Sequence, residues 1–374
     1  MKVGIITDHM DGKPSGMGNY VKHLVQNLLL FDIDLWLFHG KNNIITDPGV
    51  KSLYKRSNEV KISNFLPRGN LHMYPVFLLN YKLDIIHYPS QSISPIFWIG
   101  NTKKVVTIHG VAPFILPRTQ NKRWPIYLSL TLKYLSGKFD HVITVSESEK
   151  SNLCKILKIN PKKVSVIYHG VDRNLFSPPI NRERALEDIQ RKYKFNGPFI
   201  FHISSLSPKK NLPCLIKALK EFKQFGFPHK LVIGGGSRDR IFQYKKFSQK
   251  LNIEKEVIFV GRLGDELPKF YASADVFVFP SFHEGFGLPI LEAMSCGCPV
   301  ITSNRYSMPE VAGNAAILVD PYSSKDLTNA LFKLLINEKL REEKIKAAVK
   351  RSKDFDWYNS AKQTYAVYKS LLSC

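Results

Sequence analysis

The chain is short of acidic residues: 31 Asp and Glu stand against 54 Lys and Arg in 374 residues, a formal charge of +23. The basic excess runs through both halves and is not gathered in a tail. No zinc-finger spacing, RNP motif or helix-turn-helix pattern accompanies it, so no nucleic acid is expected as partner. A diffuse basic surface better suits peripheral contact with an anionic membrane. Cysteine is scarce as well. Five residues without repeated spacing exclude a disulfide framework and point to a reducing, cytoplasmic setting. No stretch reaches the roughly 18 uninterrupted apolar residues of a membrane span. The apolar start of MKVGIITD ends at Asp8, too soon for a signal peptide, and reads as a first strand. Solenoid repeats and low-complexity tracts are missing too.

Two motifs with metal-like spacing are read otherwise. Cys296-Gly-Cys298 has no second ligand pair and reads as small buried side chains at a helix end. Asp32-Ile33-Asp34 lies between a helix and a strand, where turn formation accounts for both aspartates. Neither metal nor cofactor is expected.

What is present is alternation. Short apolar runs at 2–7, 35–38, 84–87, 104–109, 141–145 and 164–168 are separated by helix-like segments such as 20–30 and 125–135. A second series follows at 199–204, 230–233, 257–260, 276–279 and 299–302, with helices expected at 212–225 and 289–296. This predicts an α/β protein of two doubly wound, Rossmann-like domains with parallel sheets. The first domain is expected over 1–172, a linker over 173–190 and the second domain over 191–355. A terminal helix at 356–374, rich in Trp, Tyr and Leu, completes the chain.

The most telling stretch is 280–300, PSFHEGFGLPILEAMSCGCPV. Gly285-Phe286-Gly287-Leu288 opens a helix with Pro289 at its first position, a place that suits a residue without an N–H. Both glycines are expected to adopt positive φ and let a ligand approach the backbone. The helix N-terminus offers free N–H groups and partial positive charge to a phosphate. Glu284 before it and Glu292 within it are placed to grip sugar hydroxyls on either side of a diphosphate. Lys209 and Lys210 fall at a strand-to-helix turn on the same sheet edge, where open α/β folds bind ligands. His109 ends an apolar strand. Gly16 and Gly18 form a short loop after the first strand, and Gly234 ends a strand in the second domain. The stretch 118–138 interleaves cations, Trp124, Tyr127 and leucines, a pattern suited to packing on the sheet or to a membrane interface.

These segments resemble, in order, those of retaining glycosyltransferases of family 4, which have the glycosyltransferase B fold. The E-x7-E pair Glu284 and Glu292 carries the likeness, together with SSLSPKKNLPCLIKAL (204–219) and NRYSMPEVAGNAAILVDPYS (304–323). In the first half DIIHYPS (84–90), VVTIHG (105–110), HVITVSESEKSNL (141–153) and KVSVIYHGVDRNLF (163–176) are similar to the acceptor-domain pattern. The resemblance implies two domains facing a cleft, with the terminal helix crossing back to the first. It implies a nucleotide-sugar donor in the second domain and a saccharide or lipid-linked saccharide acceptor in the first. By the same likeness Glu284 holds the transferred sugar, Glu292 the ribose, and the backbone at Gly285, Phe286, Gly287 and Leu288 the distal phosphate. His109 lines the cleft beside the sugar, and Arg262 and Leu263 mark where main chain meets the base. Many members carry Gly-Arg where this chain has Ser204-Ser205, so Ser205 cannot supply the arginine's phosphate contact. Pro208-Lys209-Lys210-Asn211 is similar to a variant block in which Lys209 replaces that charge. A nucleotide-sugar epimerase on the same fold and a non-catalytic polyanion-binding protein remain as alternatives.

Overall fold

A computed structural model describes residues 1–11, 15–40, 45, 47–62, 81–91, 101–116, 132–134 and 137–373. Most of the helix expected over 125–135, and most of the stretch 118–138, lie outside the described residues; 132–134, which are described, are helical. The chain forms two compact units, Met1–Gly170 with Asp356–Cys374, and Val171–Phe355. The segment read as a linker, 173–190, falls in the second unit. Its helix Arg182–Tyr193 packs on the helix Leu267–Ser273, and Arg182 bonds the Ser273 carbonyl and the Asp275 carboxylate. The helices that bear on the site are α1 (Gly16–Leu28), α2 (Leu212–Lys223), α3 (Leu288–Ser295), α4 (Ser307–Ala312) and α5 (Trp357–Leu372).

The first unit holds β1 (Lys2–Ile6), β2 (Asp34–Gly40), β3 (Asn58–Ile62), β4 (Ile85–Tyr88), β5 (Lys103–Ile108), β6 (His141–Thr144) and β7 (Val164–Val166). All pair in parallel, in the order β3-β2-β1-β4-β5-β6-β7. The edge strand β3, NEVKI, was not expected, because its charges break the apolar run that marks the interior strands. The helix α5 packs along α1. Its Tyr368 hydroxyl lies 2.6 Å from His87 Nδ1, and Tyr365 donates to the Asp32 carbonyl at 3.2 Å.

The second unit holds β8 (Phe199–Ser204), β9 (Lys230–Gly235), β10 (Val257–Gly261), β11 (Val276–Phe279), β12 (Val300–Ser303) and β13 (Ala316–Val319). They too are parallel, ordered β10-β9-β8-β11-β12-β13. Phe199, Phe201, Phe277 and Phe279 on the two central strands are wholly buried, each contributing about 1.5–3 kcal/mol by leaving water. In both sheets the strand order reverses beside the first strand, at β1/β4 and at β8/β11. Loops leaving the carboxyl ends of those strand pairs border a crevice where such sheets bind ligands.

Candidate functional site

In the second unit, the loops that follow β8 and β11 carry the singled-out charges. After β8, Pro208–Lys210 forms one 3-10 turn and Asn211 takes left-handed backbone with φ 56° before α2. The Asn211 amide donates to the carbonyls of Pro280 at 3.1 Å and Pro321 at 2.5 Å. The Phe282 N–H donates to the Lys209 carbonyl at 2.8 Å. The lysine turn is thereby sewn to the loop that bears Glu284.

The charges meet there. Lys210 Nζ lies 2.7 Å from Glu284 Oε1 and Lys209 Nζ 3.4 Å from Oε2. Burial by itself would raise the Glu284 pKa, but the two ammonium groups outweigh it and hold the carboxyl down at about 2. Lys210 is lowered, chiefly by burial and against the pull of Glu284. Its ammonium also sits 4.7 Å from the centre of the Phe279 ring, an attraction to the ring face. Ser205 is exposed and donates to Ser207 at 3.4 Å, bringing no cation to the site.

The loop at 285–288 departs in detail from expectation. Of its two glycines only Gly287 has positive φ, at 113°, and it caps α3. The helix begins at Leu288, so Pro289 takes its second position. Glu292, half-buried on α3, accepts from the Tyr271 hydroxyl at 2.9 Å, and burial raises its pKa to about 7 despite that bond. Gly234 and Leu263 pack together: a Cβ at Gly234 would stand 3.1 Å from the Leu263 side chain, while Arg262 is exposed. At Gly235, φ is 84° and a Cβ would fall 2.1 Å from the Ser204 carbonyl, so close approach of β8 and β9 accounts for that glycine.

In the first unit Gly16 and Gly18 lie within α1, not in a loop ahead of it, because Ser15 caps the helix by accepting from the Gly18 N–H at 3.1 Å. His109, just beyond β5, donates from Nε2 to the Pro89 carbonyl at 2.8 Å. Its ring meets Tyr20 edge-on at 4.7 Å and lies 5.3 Å from His169. Burial pushes its pKa down to about 4, so it is neutral near pH 7 with Nδ1 left as acceptor. His87 is neutral likewise, down to about 3 through burial, between Tyr368 and Thr107.

Three contributors escaped the sequence reading. Asn211 had a signal in the block it ends, but its two carbonyl partners had none. His202 is wholly buried on β8, donates from Nδ1 to the Val278 carbonyl at 2.8 Å and lies 2.9 Å from Ser204 Oγ, fastening the strand end below the lysine turn. Ser307, at the start of α4, lies with Oγ 2.8 Å from the Glu284 carbonyl and 2.9 Å from that of Phe286. Among the described residues no group of three or more His, Cys, Asp or Glu is placed to hold a metal ion. Asp34 instead accepts from Asn58 at 2.7 Å, and Cys296 and Cys298 are buried with free thiols.

The model for the family "Glycosyl transferases group 1" matches residues 180–351, and that for "Glycosyltransferase Family 4" matches residues 14–175. The chain is 29% identical over 391 aligned positions to O-antigen chain mannosyltransferase B of Escherichia coli, across 99% of this chain and 100% of that protein. Its fold is similar to that of sucrose-phosphate synthase from Thermosynechococcus elongatus, with a TM-score of 0.81 and 21% identity over 100% of this chain and 99% of that one. It is similar as well to HepE of Anabaena, solved in complex with UDP, with a TM-score of 0.78 and 20% identity over 99% and 100%. With the two models spanning nearly the whole sequence, the protein belongs to the group 1, family 4 glycosyltransferases and has the glycosyltransferase B fold.

Proposed function

We propose that the protein is a retaining hexosyltransferase that moves a sugar from a nucleoside diphosphate sugar to a hydroxyl of a saccharide acceptor, free or lipid-linked, in the assembly of a cell-surface polysaccharide. The observation that carries this reading is the Lys209, Lys210 and Glu284 cluster at the β8/β11 switch point. As the glycosidic bond stretches, negative charge gathers on the leaving diphosphate. Fixed ammonium groups and the N–H groups at the start of α3 stabilise that charge more than they stabilise bound donor, which is what lowers a barrier. Each charge-assisted hydrogen bond contributes about 1.5–3 kcal/mol.

Glu284, held ionised by its lysines, accepts from sugar hydroxyls and has no proton to donate near neutral pH. The departing phosphate takes the proton of the acceptor hydroxyl as the new glycosidic bond forms, so the reaction balances without a strong protein base. Glu292 is assigned to the ribose, and His109 keeps the catalytic place beside the transferred sugar and leaving phosphate that the family likeness implies. The likeness to an O-antigen chain mannosyltransferase supports mannose as the sugar, and the Pro208-Lys209-Lys210-Asn211 block is the reason for choosing GDP as its carrier. HepE in complex with UDP supports a nucleoside diphosphate as ligand and keeps uridine as the second choice of base. The reading needs no resident cofactor. Among the described residues no helix is long and apolar enough to cross a membrane; the basic surface is assigned to peripheral contact with anionic lipid.

Titration of GDP, UDP and their nucleosides into the wild type and Lys210→Ala tests the site. Loss of about tenfold in diphosphate affinity, with nucleoside affinity kept, is expected for one charge-assisted contact. Equal losses for both would remove Lys210 from the phosphate. The anomeric proton of the product, read by NMR, reports retention; an inverted product overturns that assignment.

A further inference from the structure

The connection from β12 to α4 contains a conformation that its residue type does not favour. Tyr306 has φ 53° and ψ −129°. Gly313, at the other end of α4, has nearly the same angles, φ 55° and ψ −137°, and is a glycine. A side chain is strained in this region, and such strain persists only where the surroundings over-determine it. Those surroundings are the Glu284 loop. The Tyr306 ring lies 4.4 Å, centre to centre, from the ring of His283, which is wholly buried and directly precedes Glu284. The next residue, Ser307, is also wholly buried, and its hydroxyl reaches the carbonyls of both Glu284 and Phe286. Since β11 and β12 are neighbours in the sheet, their following loops leave the same edge side by side.

We propose that Tyr306 and Ser307 are positioning residues for transfer, a brace from α4 that fixes the carboxylate of Glu284 and the backbone of the 285–287 loop relative to the lysine turn. The proposal rests on the assignment of Glu284 to the donor sugar. The strained backbone at Tyr306 turns Ser307 inward, and the ring closes over His283 from the flank. Two carbonyls on one hydroxyl pin the loop on both sides of Gly285. A displacement of that loop shifts Glu284 against the reacting sugar, and errors of this kind act on turnover more than on binding.

The test uses Tyr306→Gly, Tyr306→Phe, Ser307→Ala and Ser307→Thr in the full chain, with kcat, donor KM, GDP or UDP affinity and Tm measured for each. Tyr306→Gly relieves the backbone strain, so Tm is expected to hold or rise while kcat falls by about tenfold and nucleoside diphosphate affinity stays near that of the wild type. Ser307→Ala should lower kcat similarly, with recovery in Ser307→Thr, which restores a hydroxyl, and in Tyr306→Phe, which keeps the ring. Turnover in Tyr306→Gly and Ser307→Ala within about twofold of the wild type overturns the proposal. So does a kcat loss that simply follows a fall in Tm and is not recovered by Thr or Phe. Wild-type protein that binds no nucleoside diphosphate would instead overturn the donor-site reading itself.

Discussion

Glu284 and Glu292 lie eight positions apart, yet their surroundings drive their acidities in opposite directions. At Glu284 two ammonium groups overcome the effect of burial and hold the carboxyl at about 2. Stability from that ion pair is present above the ordinary carboxylate range and is lost as pH falls through about 2. At Glu292 burial prevails and the pKa rises to about 7, with only the Tyr271 hydroxyl opposing it. The folded state then keeps a proton that the unfolded chain has released, so stability declines as pH rises from the ordinary carboxylate range through about 7. Glu292→Gln should flatten that decline between pH 5 and 8 in thermal melts. A slope identical to the wild type would show that Glu292 does not titrate there. The lysine beside Glu284 came straight from sequence, whereas the contrast between the two acids required knowing what covers each of them.

The glycines of α1 separate by the element that packs on each. At Gly16 a Cβ would meet nothing within 4 Å, whereas at Gly18 it would stand 2.5 Å from the backbone carbonyl of His9 in the turn Asp8–Asp11. Gly16→Ala should therefore leave the stability within about 0.5 kcal/mol of the wild type, read as a nearly unchanged Tm, and helix propensity favours the alanine. Gly18→Ala must push a backbone segment aside and should cost about 2 kcal/mol or more, read as a lower Tm for the first unit. If Gly16→Ala leaves Tm unchanged but weakens turnover, the open space beside it is used by substrate. Equal destabilisation by both variants would contradict the packing described. The sequence marked these two glycines as a loop, because a glycine pair after a strand has the same pattern whether Ser15 caps a helix there or not.

Two units with separate cores need not unfold together. The first is assembled from both ends of the chain: α5 closes over α1, and Tyr368, wholly buried, meets His87 across 281 positions of sequence. Tyr368→Phe removes that hydroxyl and leaves buried His87 Nδ1 without its partner, at a cost of about 1–3 kcal/mol. In calorimetry the loss should fall on the transition of the first unit and leave that of the second in place. A shift of the second transition alone would contradict the assignment of α5 to the first unit.

The amino-acid pattern by itself determined the family, the two parallel sheets and the strands at their centres. Buried parallel strands need unbroken apolar runs, and ligand-edge turns need Gly, Pro and charge at fixed spacing, so both leave local traces. The edge strand β3 leaves none, since its charged residues interrupt the apolar run, whereas the edge strands β7 and β10 keep theirs. The sewing of the lysine turn to the Glu284 loop by Asn211, the clamp by Ser307 and the neutral state of His109 were decided only in three dimensions. Each depends on which carbonyl or ring a distant segment presents, and on how much water the packing removes.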